Sequence, residues 1–406
     1  MDFAVEINQF SVKISWKCGV NQSSPRNLVP KPFEYHMLNM VIVCLYGLGM
    51  FSMDYDLIVV GAGPAGSITA TVVAQAGYRV LVLERDLSCR SPCAGYLSST
   101  INLELPESCI IQSKIRKMRT YFPDLSFHDS QLNGFVVDRP SFDAALVRGA
   151  KDAGAYIKWG SPLIDLVPGG VRFRGGKASA SVIVGADGVF SRVVSLLGWE
   201  RQRTLSCAQY HLKGVDLLRE ACEIFFDVDY APGGYVWVYP TGEESAKVGL
   251  GILGDEEDTG GGGGLRSPRE YLDAFISESF MAERFCGERI EYVRGFIPVG
   301  GLRRELCRGN LLLVGDSAGM ADPITGAGIN NALLAGKIAG RTIIDALEND
   351  DVAMLERYER EVKRLLGRPL ARSLEKRKKM DKYCTANESL QRHLPELWVT
   401  FREYWR

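Results

Sequence analysis

Gly61, Gly63 and Gly66 form the pattern G-x-G-x-x-G directly after the apolar run Leu57–Val60. The first glycine permits a tight turn, the second lets a pyrophosphate approach the backbone, and the third lets a helix pack closely on a strand. The N-terminus of the following helix favours the negative charge of phosphate. Glu84 follows 23 residues after Gly61, where its carboxylate can accept hydrogen bonds from ribose hydroxyls. These residues predict a dinucleotide-binding site.

The same glycine pattern occurs again as GLGILG at 249–254. This copy ends an alternating strand and runs into four acidic residues at 255–258, with no helix pattern after it. Carboxylates beside a pyrophosphate would repel it, so we interpret the copy as a strand and a turn. The sequence therefore predicts no second nucleotide-binding fold for a nicotinamide cofactor.

Two more glycine turns follow apolar strands, in GADGVFSR (185–192) and VGDSAGMADPITGAGINNA (314–332). Asp316 would lie at a strand end, where it can bind a ribityl hydroxyl. Backbone N–H groups at the next helix start can face phosphate or flavin oxygens, and they belong to Gly326, Gly328 and Ile329. Each turn alone could be a helix cap. Three such turns in this order favour FAD over NAD.

The stretch GGYVWVYP at 233–240 alternates aromatic residues with valines. In a strand this pattern places Tyr235, Trp237 and Tyr239 on one face, and Pro240 ends the pairing. Such rings either pack in a core or line a site, and the local sequence leaves both alternatives open.

The composition is that of an ordinary globular protein of 406 residues, with 46% hydrophobic and 24% charged residues. The net charge of −1 gives no reason to expect a nucleic-acid partner. Ten cysteines are scattered without paired spacing, and no Cys/His cluster has the spacing of a metal site. These features favour free thiols in a reducing cytoplasm and no bound metal.

Hydrophobic patterning predicts an α/β fold in which buried strands and helices alternate around the glycine turns. Alternating strands around 221–227, 235–240 and 246–252 predict an antiparallel sheet inserted between these parts. The FAD-binding, Rossmann-like domain would be assembled from three segments, 53–99, 134–203 and 300–345. The substrate-binding domain would comprise 100–133 and 204–299, followed by a C-terminal helical region at 346–406.

Residues 1–52 differ from the rest of the chain, with no motif and an apolar run at 37–51. Fifteen residues are fewer than the roughly 20 that span a bilayer. Met53 directly precedes the dinucleotide-binding motif, so one interpretation is a start codon assigned too far upstream. The alternatives are a membrane-contacting extension and an additional ordered element. We expect no catalytic role for this segment.

Taken together, the motifs resemble those of the geranylgeranyl reductase family, within the aromatic-hydroxylase-like FAD superfamily. The resemblance spans roughly residues 53 to 345 and is closest to archaeal digeranylgeranylglycerophospholipid reductases, which saturate isoprenoid chains of membrane lipids. It rests on GAGPAG with Glu84, PCAGYLS (92–98), VDRPSFDAAL (137–146), GADG, GGYVWVYP and GDSAGMADPITGAGI. Two positions depart from the family pattern: Tyr96 replaces a frequent glycine or glutamate, and Tyr239 replaces a frequent phenylalanine.

The resemblance implies an FAD-dependent oxidoreductase acting on CH–CH groups. The flavin contacts that it implies fall on Ala65, Glu84, Cys93, Ala94, Gly95, Arg139, Asp316, Gly328 and Ile329. Cys93 would be a flavin contact and gatekeeper, or a proton relay, with a buried inert thiol as the alternative. Arg139 would hold an FAD phosphate or the flavin edge.

The implied reaction explains the aromatic strand. An unactivated trisubstituted alkene accepts hydride poorly, but protonation or polarisation at one carbon builds tertiary cationic character at the other. Hydride from N5 of reduced FAD then completes the reduction. Tyr235, Trp237 and Tyr239 would line the substrate site, and each ring face would stabilise the developing charge by about 0.5–2 kcal/mol. Cys93, Tyr235 and Trp237 are the expected catalytic residues.

The implied partners are an isoprenoid lipid and an external electron donor, such as NAD(P)H, ferredoxin or another reduced carrier. The tail at 361–383 interleaves Lys and Arg with leucines at 365, 366, 370 and 374. This pattern predicts a solvated amphipathic helix, and the alternative is peripheral contact with the inner face of an anionic membrane.

Two other functions fit the same motifs. One is an FAD-dependent monooxygenase or halogenase, although halogenases typically carry Trp-x-Trp-x-Ile-Pro at the aromatic strand. The other is a redox-silent flavoprotein, such as a carotenoid cyclase, or a lipid-binding protein that uses FAD structurally.

Overall fold

The computed structural model describes residues 2–8, 11–17, 54–99, 111–253, 266–383 and 385–406. Near the N-terminus, β1 (Asp2–Asn8) and β2 (Ser11–Lys17) pair in an antiparallel hairpin. The interpretation of residues 1–52 stays a prediction. The apolar run at 37–51 and the glycine run at 260–264 lie outside the described residues.

The first sheet carries the three glycine turns at its strand ends. Its central strands are parallel and almost wholly buried, because helices cover both faces. In spatial order the strands are β17 (Cys307–Arg308), β18 (Leu311–Leu313), β11 (Gly176–Gly185), β3 (Tyr55–Val60), β4 (Val80–Leu83) and β8 (Tyr156–Lys158). The strands β9 (Leu163–Val167) and β10 (Gly170–Phe173) extend it from β11.

Small residues bring two helices of this layer close together. These are α1 (Pro64–Gln75), which begins at the dinucleotide-binding turn, and α5 (Ile329–Glu348). A Cβ on Gly336 would lie 2.6 Å from the carbonyl oxygen of Ala65, so the helices touch where no side chain intervenes. The remaining helices of the layer are α2 (Arg139–Asp152) and the short α3 (Arg192–Leu196).

The second sheet has eight strands and is mostly antiparallel, as the alternating patterns predicted. One pairing differs, because β13 and β6 run parallel. The spatial order is β16 (Glu288–Pro298), β12 (Thr204–Lys213), β15 (Ser245–Leu253), β14 (Tyr235–Pro240), β13 (Ala221–Phe225), β6 (Ile111–Tyr121), β7 (Phe127–Val137) and β5 (Tyr96–Ser98). The second glycine pattern at 249–254 begins within β15, as its interpretation as a strand predicted, and the acidic residues after it lie outside the described part.

The two faces of β14 have different neighbours. Val236 and Val238 pack in a cluster with α4 (Pro268–Glu278), whose capping box is formed by Ser267 and Glu270. The alternate aromatic residues belong to a different cluster on the opposite face. The alternation predicted from the sequence is therefore confirmed.

The C-terminal region is helical, with α6 (Glu356–Val362), α7 (Arg368–Tyr383) and α8 (Asn387–Leu397). Leu366 and Leu370 are buried in the core of the first sheet, and Leu374 packs against Gly301. No helix of the described ranges is both long and apolar enough to cross a membrane.

The predicted domain boundaries stay a prediction. Two predicted parts of the FAD-binding domain, β5 and the end of β7 from Gly134 onward, hydrogen-bond within the second sheet. The chain thus leaves the loop with Cys93 for the second sheet at Gly95, and it returns to the first layer at Asp138, directly before α2.

Candidate active site

Two adjoining cavities lie between the first sheet, the second sheet and the loops that join them. One has a volume of about 380 Å³ and lies at the first glycine turn, whereas the other, of about 300 Å³, reaches the aromatic strand. Gly63, Pro64, Arg139 and Ala186 line both cavities. The predicted dinucleotide site and the predicted aromatic wall are therefore parts of one continuous cleft.

The first glycine turn has the close contacts that its spacing predicted. Gly61 has a φ of +104°, and a Cβ there would lie 2.3 Å from the carbonyl oxygen of Ala186. A Cβ on Gly66 would lie 2.0 Å from the Gly61 oxygen. Gly63 is different, because a Cβ there would meet no atom within 4 Å. The backbone at Gly63 is therefore open towards the cleft, as the approach of a phosphate requires.

Glu84 is held by two backbone donors at the end of β4. Its Oε2 accepts a hydrogen bond from the Ala62 N–H at 2.8 Å, and its Oε1 accepts one from the Asp86 N–H at 2.9 Å. These bonds fix the carboxylate at the edge of the larger cavity, which it lines. Each oxygen keeps a second lone pair for a ribose hydroxyl.

Asp316 follows β18 and lines the smaller cavity with Gly328 and Ile329. Burial raises the pKa of the Asp316 carboxyl, and the nearby charge of Arg139 opposes that rise. Gly328 is the N-cap of α5, so the first N–H groups of this helix point towards the cleft. These three residues therefore lie together, as the sequence predicted.

The loop with Cys93 also lines the cleft. Cys93 is exposed and Arg139 is buried, and both line the smaller cavity with Ala94. The Arg139 guanidinium forms an ion pair with Asp143 at 3.0 Å. The exposed thiol argues against the alternative of a buried inert cysteine. Whether Arg139 holds an FAD phosphate stays a prediction.

The aromatic wall lines the same cavity. Tyr235 and Trp237 are each 7% exposed, and their ring centroids are 6.2 Å apart at a steep angle. The Tyr235 hydroxyl donates to the Thr325 carbonyl at 2.7 Å, which ties the wall to the loop after Asp316. Burial raises the pKa values of the Tyr235 and Tyr239 phenols, so both remain neutral.

Several residues of the cleft were not predicted from the sequence. Gln209 accepts a hydrogen bond from Trp237 Nε1 at 3.0 Å and donates one to the Pro92 carbonyl at 3.4 Å. Cys207 lies on the same face of β12, and burial raises its pKa to about 12. Next to the cleft, Lys247 on β15 lies opposite Tyr239 and donates a hydrogen bond to the Ala94 carbonyl at 3.2 Å. The alternating pattern along 204–213 could have predicted that Cys207 and Gln209 share one face of a strand. It could not have predicted that this face lies beside the aromatic strand.

The residues present fit FAD. Gly63 leaves open backbone for a pyrophosphate, Glu84 offers a fixed acceptor near the adenosine end, and Asp316 offers a carboxylate inside the smaller cavity. The cleft continues beyond this cradle to the aromatic wall, which an adenosine nucleotide alone would not reach. A dinucleotide with a flavin ring matches the chemistry of both parts of the cleft.

Comparisons with known proteins agree with this assignment. A sequence profile described as FAD binding domain matches residues 54–100, and one described as geranylgeranyl reductase catalytic domain matches residues 204–297. The digeranylgeranylglycerophospholipid reductase of Methanocella arvoryzae is 34% identical over 342 residues, which are 78% of this chain and 85% of that protein.

Solved structures share the fold. A geranylgeranyl bacteriochlorophyll reductase-like protein from Thermoplasma acidophilum has a TM-score of 0.76 at 27% identity, covering 86% of this chain and 92% of its own. The myxobacterial chondrochloren halogenase has a TM-score of 0.62 at 22% identity, covering 76% and 79%, and shows the fold alone. The chain belongs to the digeranylgeranylglycerophospholipid reductase family of FAD-dependent oxidoreductases.

Proposed function

We propose that this protein uses FAD to saturate the isoprenoid C=C bonds of archaeal-type membrane glycerophospholipids. The observation that carries the proposal is a single cleft joining the dinucleotide cradle to a wall of buried aromatic rings. The family to which the chain belongs supports the same substrate class.

The chain's own residues provide an apolar and rigid site for an alkene. Bound FAD, when reduced, supplies the hydride. Tyr235 and Trp237 present ring faces that stabilise positive charge developing on the substrate, and they exclude water from it. Gln209 fixes the indole plane of Trp237, so the wall keeps its shape when substrate binds. The neutral phenols add no negative charge that would trap a cation.

Cys93 is the residue of the cleft best placed to exchange protons with solvent. Its thiol is exposed in the cavity, unlike that of Cys207, and it lies beside the buried Arg139. A proton that Cys93 passes to the substrate can be replaced from water. This role, and that of a gatekeeper over the flavin, are proposals for the same side chain.

The external partners are an electron donor and a membrane that presents the substrate. The donor is NAD(P)H, ferredoxin or another reduced carrier, and the protein is cytoplasmic with peripheral contact at the inner membrane face. Leu366 and Leu370 are buried, so they are not available to the membrane. Contact would use the exposed basic side chains of α7, which include Lys378, Lys379 and Lys382.

An anaerobic turnover tests the proposal. The protein's flavin is reduced with dithionite, a digeranylgeranyl glycerophospholipid in detergent micelles is added, and flavin reoxidation is followed with the mass of the lipid. We expect reoxidation with the gain of one H₂ per flavin. Reduced flavin that persists beside unchanged lipid would refute the proposal.

The same experiment separates the rival functions. In a monooxygenase or halogenase of this fold, the reduced flavin would be reoxidised productively only with oxygen and another substrate. A redox-silent flavoprotein would change or bind the lipid with no net electron transfer.

A further inference from the structure

The face of the second sheet that carries the aromatic wall extends over three strands. Trp237 on β14 lies opposite Gly249 on β15, and Gly249 lies opposite Gln209 on β12. Two residues further along β14, Tyr239 lies opposite Lys247 on β15. Directly paired residues share one face of a sheet, so Gln209 and Lys247 point to the same side as the aromatic rings.

The second glycine pattern has a role on this face. A Cβ on Gly249 would lie 2.7 Å from the ring atoms Cε2 and Cζ2 of Trp237. Because that Cβ is absent, the indole extends across β15, and its Nε1 donates to Gln209 Oε1 on β12 at 3.0 Å. The glycine therefore lets one side chain connect the aromatic strand with a strand two places away in the sheet.

Two side chains of this face bind the loop on both sides of Cys93. Gln209 Nε2 donates to the Pro92 carbonyl at 3.4 Å, and Lys247 Nζ donates to the Ala94 carbonyl at 3.2 Å. The carbonyl groups before and after the cysteine are thus attached to the sheet that carries the aromatic wall.

Two further contacts hold the same loop. The Val137 N–H donates to the Gly95 carbonyl at 2.9 Å. On β16, a Cβ at Gly295 would lie 2.8 Å from Cγ of Pro92, so the strand and the proline ring are in close contact. The Cys93 thiol nevertheless stays exposed in the smaller cavity. The loop backbone is therefore held, whereas its thiol remains accessible.

The burial of Lys247 indicates more than a packing role. Its side chain belongs to a residue that is 9% exposed, and within the described ranges no carboxylate lies at ion-pair distance from its ammonium group. Burial lowers the pKa of this amine, and the charges of Asp138 and Glu291 oppose that fall. A buried charge without a paired charge costs stability, and such groups are typical of functional sites.

We propose that Lys247, with Gln209 as the second anchor, is a positioning residue that holds Cys93 at a fixed place beside the aromatic wall. This inference rests on the proposed function and deepens it. Gln209 bonds the Trp237 indole and the loop through one amide group, so the ring and the thiol-bearing loop keep a constant separation. Each C=C bond of the substrate then meets the same thiol and the same ring face in turn.

Removal of the Lys247 anchor tests this inference. Lys247→Met keeps the length of the side chain but removes the donor. In the FAD-loaded protein, anaerobic reoxidation of reduced flavin is followed at increasing concentrations of a digeranylgeranyl glycerophospholipid in micelles. We expect the saturating rate to fall by about 10- to 100-fold, because a misplaced group loses its effect on the reacting atoms. The half-saturating lipid concentration should stay within about twofold of the wild type.

A cysteine variant shows whether Lys247 acts through Cys93. In a Cys93→Ala background, Lys247→Met should cause no further loss of rate, since residues that act as a unit are not additive. Hydrogen–deuterium exchange of the peptide 91–98, read by mass spectrometry, should become faster in Lys247→Met, while the peptide 268–278 of α4 keeps the wild-type rate. Lys213→Met, on an exposed lysine of β12, should change neither result.

The outcomes separate the possible failures. If the wild type transfers no electrons to the lipid, the proposed function fails, and the exchange data still decide whether Lys247 holds the loop. An equal loss of rate in the wild-type and Cys93→Ala backgrounds would refute the positioning of Cys93, as would full activity of Cys93→Ala. Unchanged exchange of the peptide 91–98 would refute the anchor itself. Lys247→Leu gives the same comparison if Lys247→Met does not fold.

Discussion

At the scale of single residues, the cleft contains side chains whose roles follow from their hydrogen bonds. Trp237 is fixed by Gln209, Tyr235 by the Thr325 carbonyl, and Glu84 by two backbone amides. Fixed side chains cost no reorganisation when charge develops on the substrate. Single substitutions therefore separate the chemistry from the binding of FAD.

Trp237→Ala should slow the lipid-dependent reoxidation of reduced flavin by about tenfold or more, because the ring face that stabilises positive charge is lost. FAD content should stay that of the wild type. Stopped-flow absorbance under anaerobic conditions measures the rate. Val238→Ala is the matched control, since Val238 lies on the opposite face of the same strand. An unchanged rate in Trp237→Ala would remove the aromatic wall from the mechanism.

Asp316→Ala should weaken FAD binding by about 10- to 100-fold, the range for a hydrogen bond to a charged group. The reason is that a carboxylate inside the cavity no longer accepts from the ribityl chain. Titration of apoprotein with FAD, followed by flavin fluorescence, gives the affinity. Asp152→Ala, at an exposed carboxylate near the end of α2, serves as the control. Equal affinities in both variants would contradict the predicted contact.

At the scale of elements, the strand, turn and helix around Gly61 form the cradle for the dinucleotide phosphate from backbone groups rather than from side chains. Gly66 sits where β3 and α1 touch, whereas Gly63 faces open space. The two glycines therefore have separable roles, one in packing and one in leaving room for phosphate.

Gly63→Ala should leave the melting temperature of the apoprotein within about 2 °C of the wild type, because Gly63 has an extended backbone and its Cβ would meet no protein atom. Its affinity for FAD should fall, since the new methyl group occupies the approach of the phosphate. Gly66→Ala should instead destabilise the apoprotein itself, because its Cβ would lie 2.0 Å from the Gly61 carbonyl oxygen. Calorimetry of both apoproteins and FAD titration check this contrast. The reverse pattern would invalidate the assignment of the two glycines.

At the scale of the whole molecule, the C-terminal region holds both halves of the cleft. Ser373 on α7 donates to Asp322, in the loop after Asp316, at 2.5 Å, and Arg377 donates to the Gly233 carbonyl, just before the aromatic strand, at 2.6 Å. Trp398 packs on Tyr235 with ring centroids 5.1 Å apart. The tail is thus a structural part of the active site.

Trp398→Ala should lower the free energy of unfolding by about 3–5 kcal/mol, the cost of removing a large buried ring. Trp398 is 1% exposed and also donates to the Thr120 hydroxyl at 3.1 Å. Chemical denaturation measures the change. Trp405→Ala, on a tryptophan that is 59% exposed, should cost far less. Similar losses in the two variants would show that the tail does not support the cleft through Trp398.

The sequence by itself determined the local chemistry of this protein. Glycine spacing, the buried strand before Gly61 and the carboxylate of Glu84 act within one strand–turn–helix–strand unit, so a local pattern suffices to predict them. The location of Tyr235 and Trp237 on the same face also follows from the two-residue period of a single β-strand.

Tertiary structure alone decided what those local units meet. Gln209 lies 28 residues before Trp237, the Asn133 carbonyl lies 37 residues after Tyr96, and Ser373 lies 51 residues after Asp322. The parallel pairing of β13 with β6 likewise joins distant strands. Contacts between separate strands and helices depend on sheet order and chain crossovers, which no local periodicity encodes. The cleft was therefore predictable in its parts, and its continuity was decided by the packing of the two sheets.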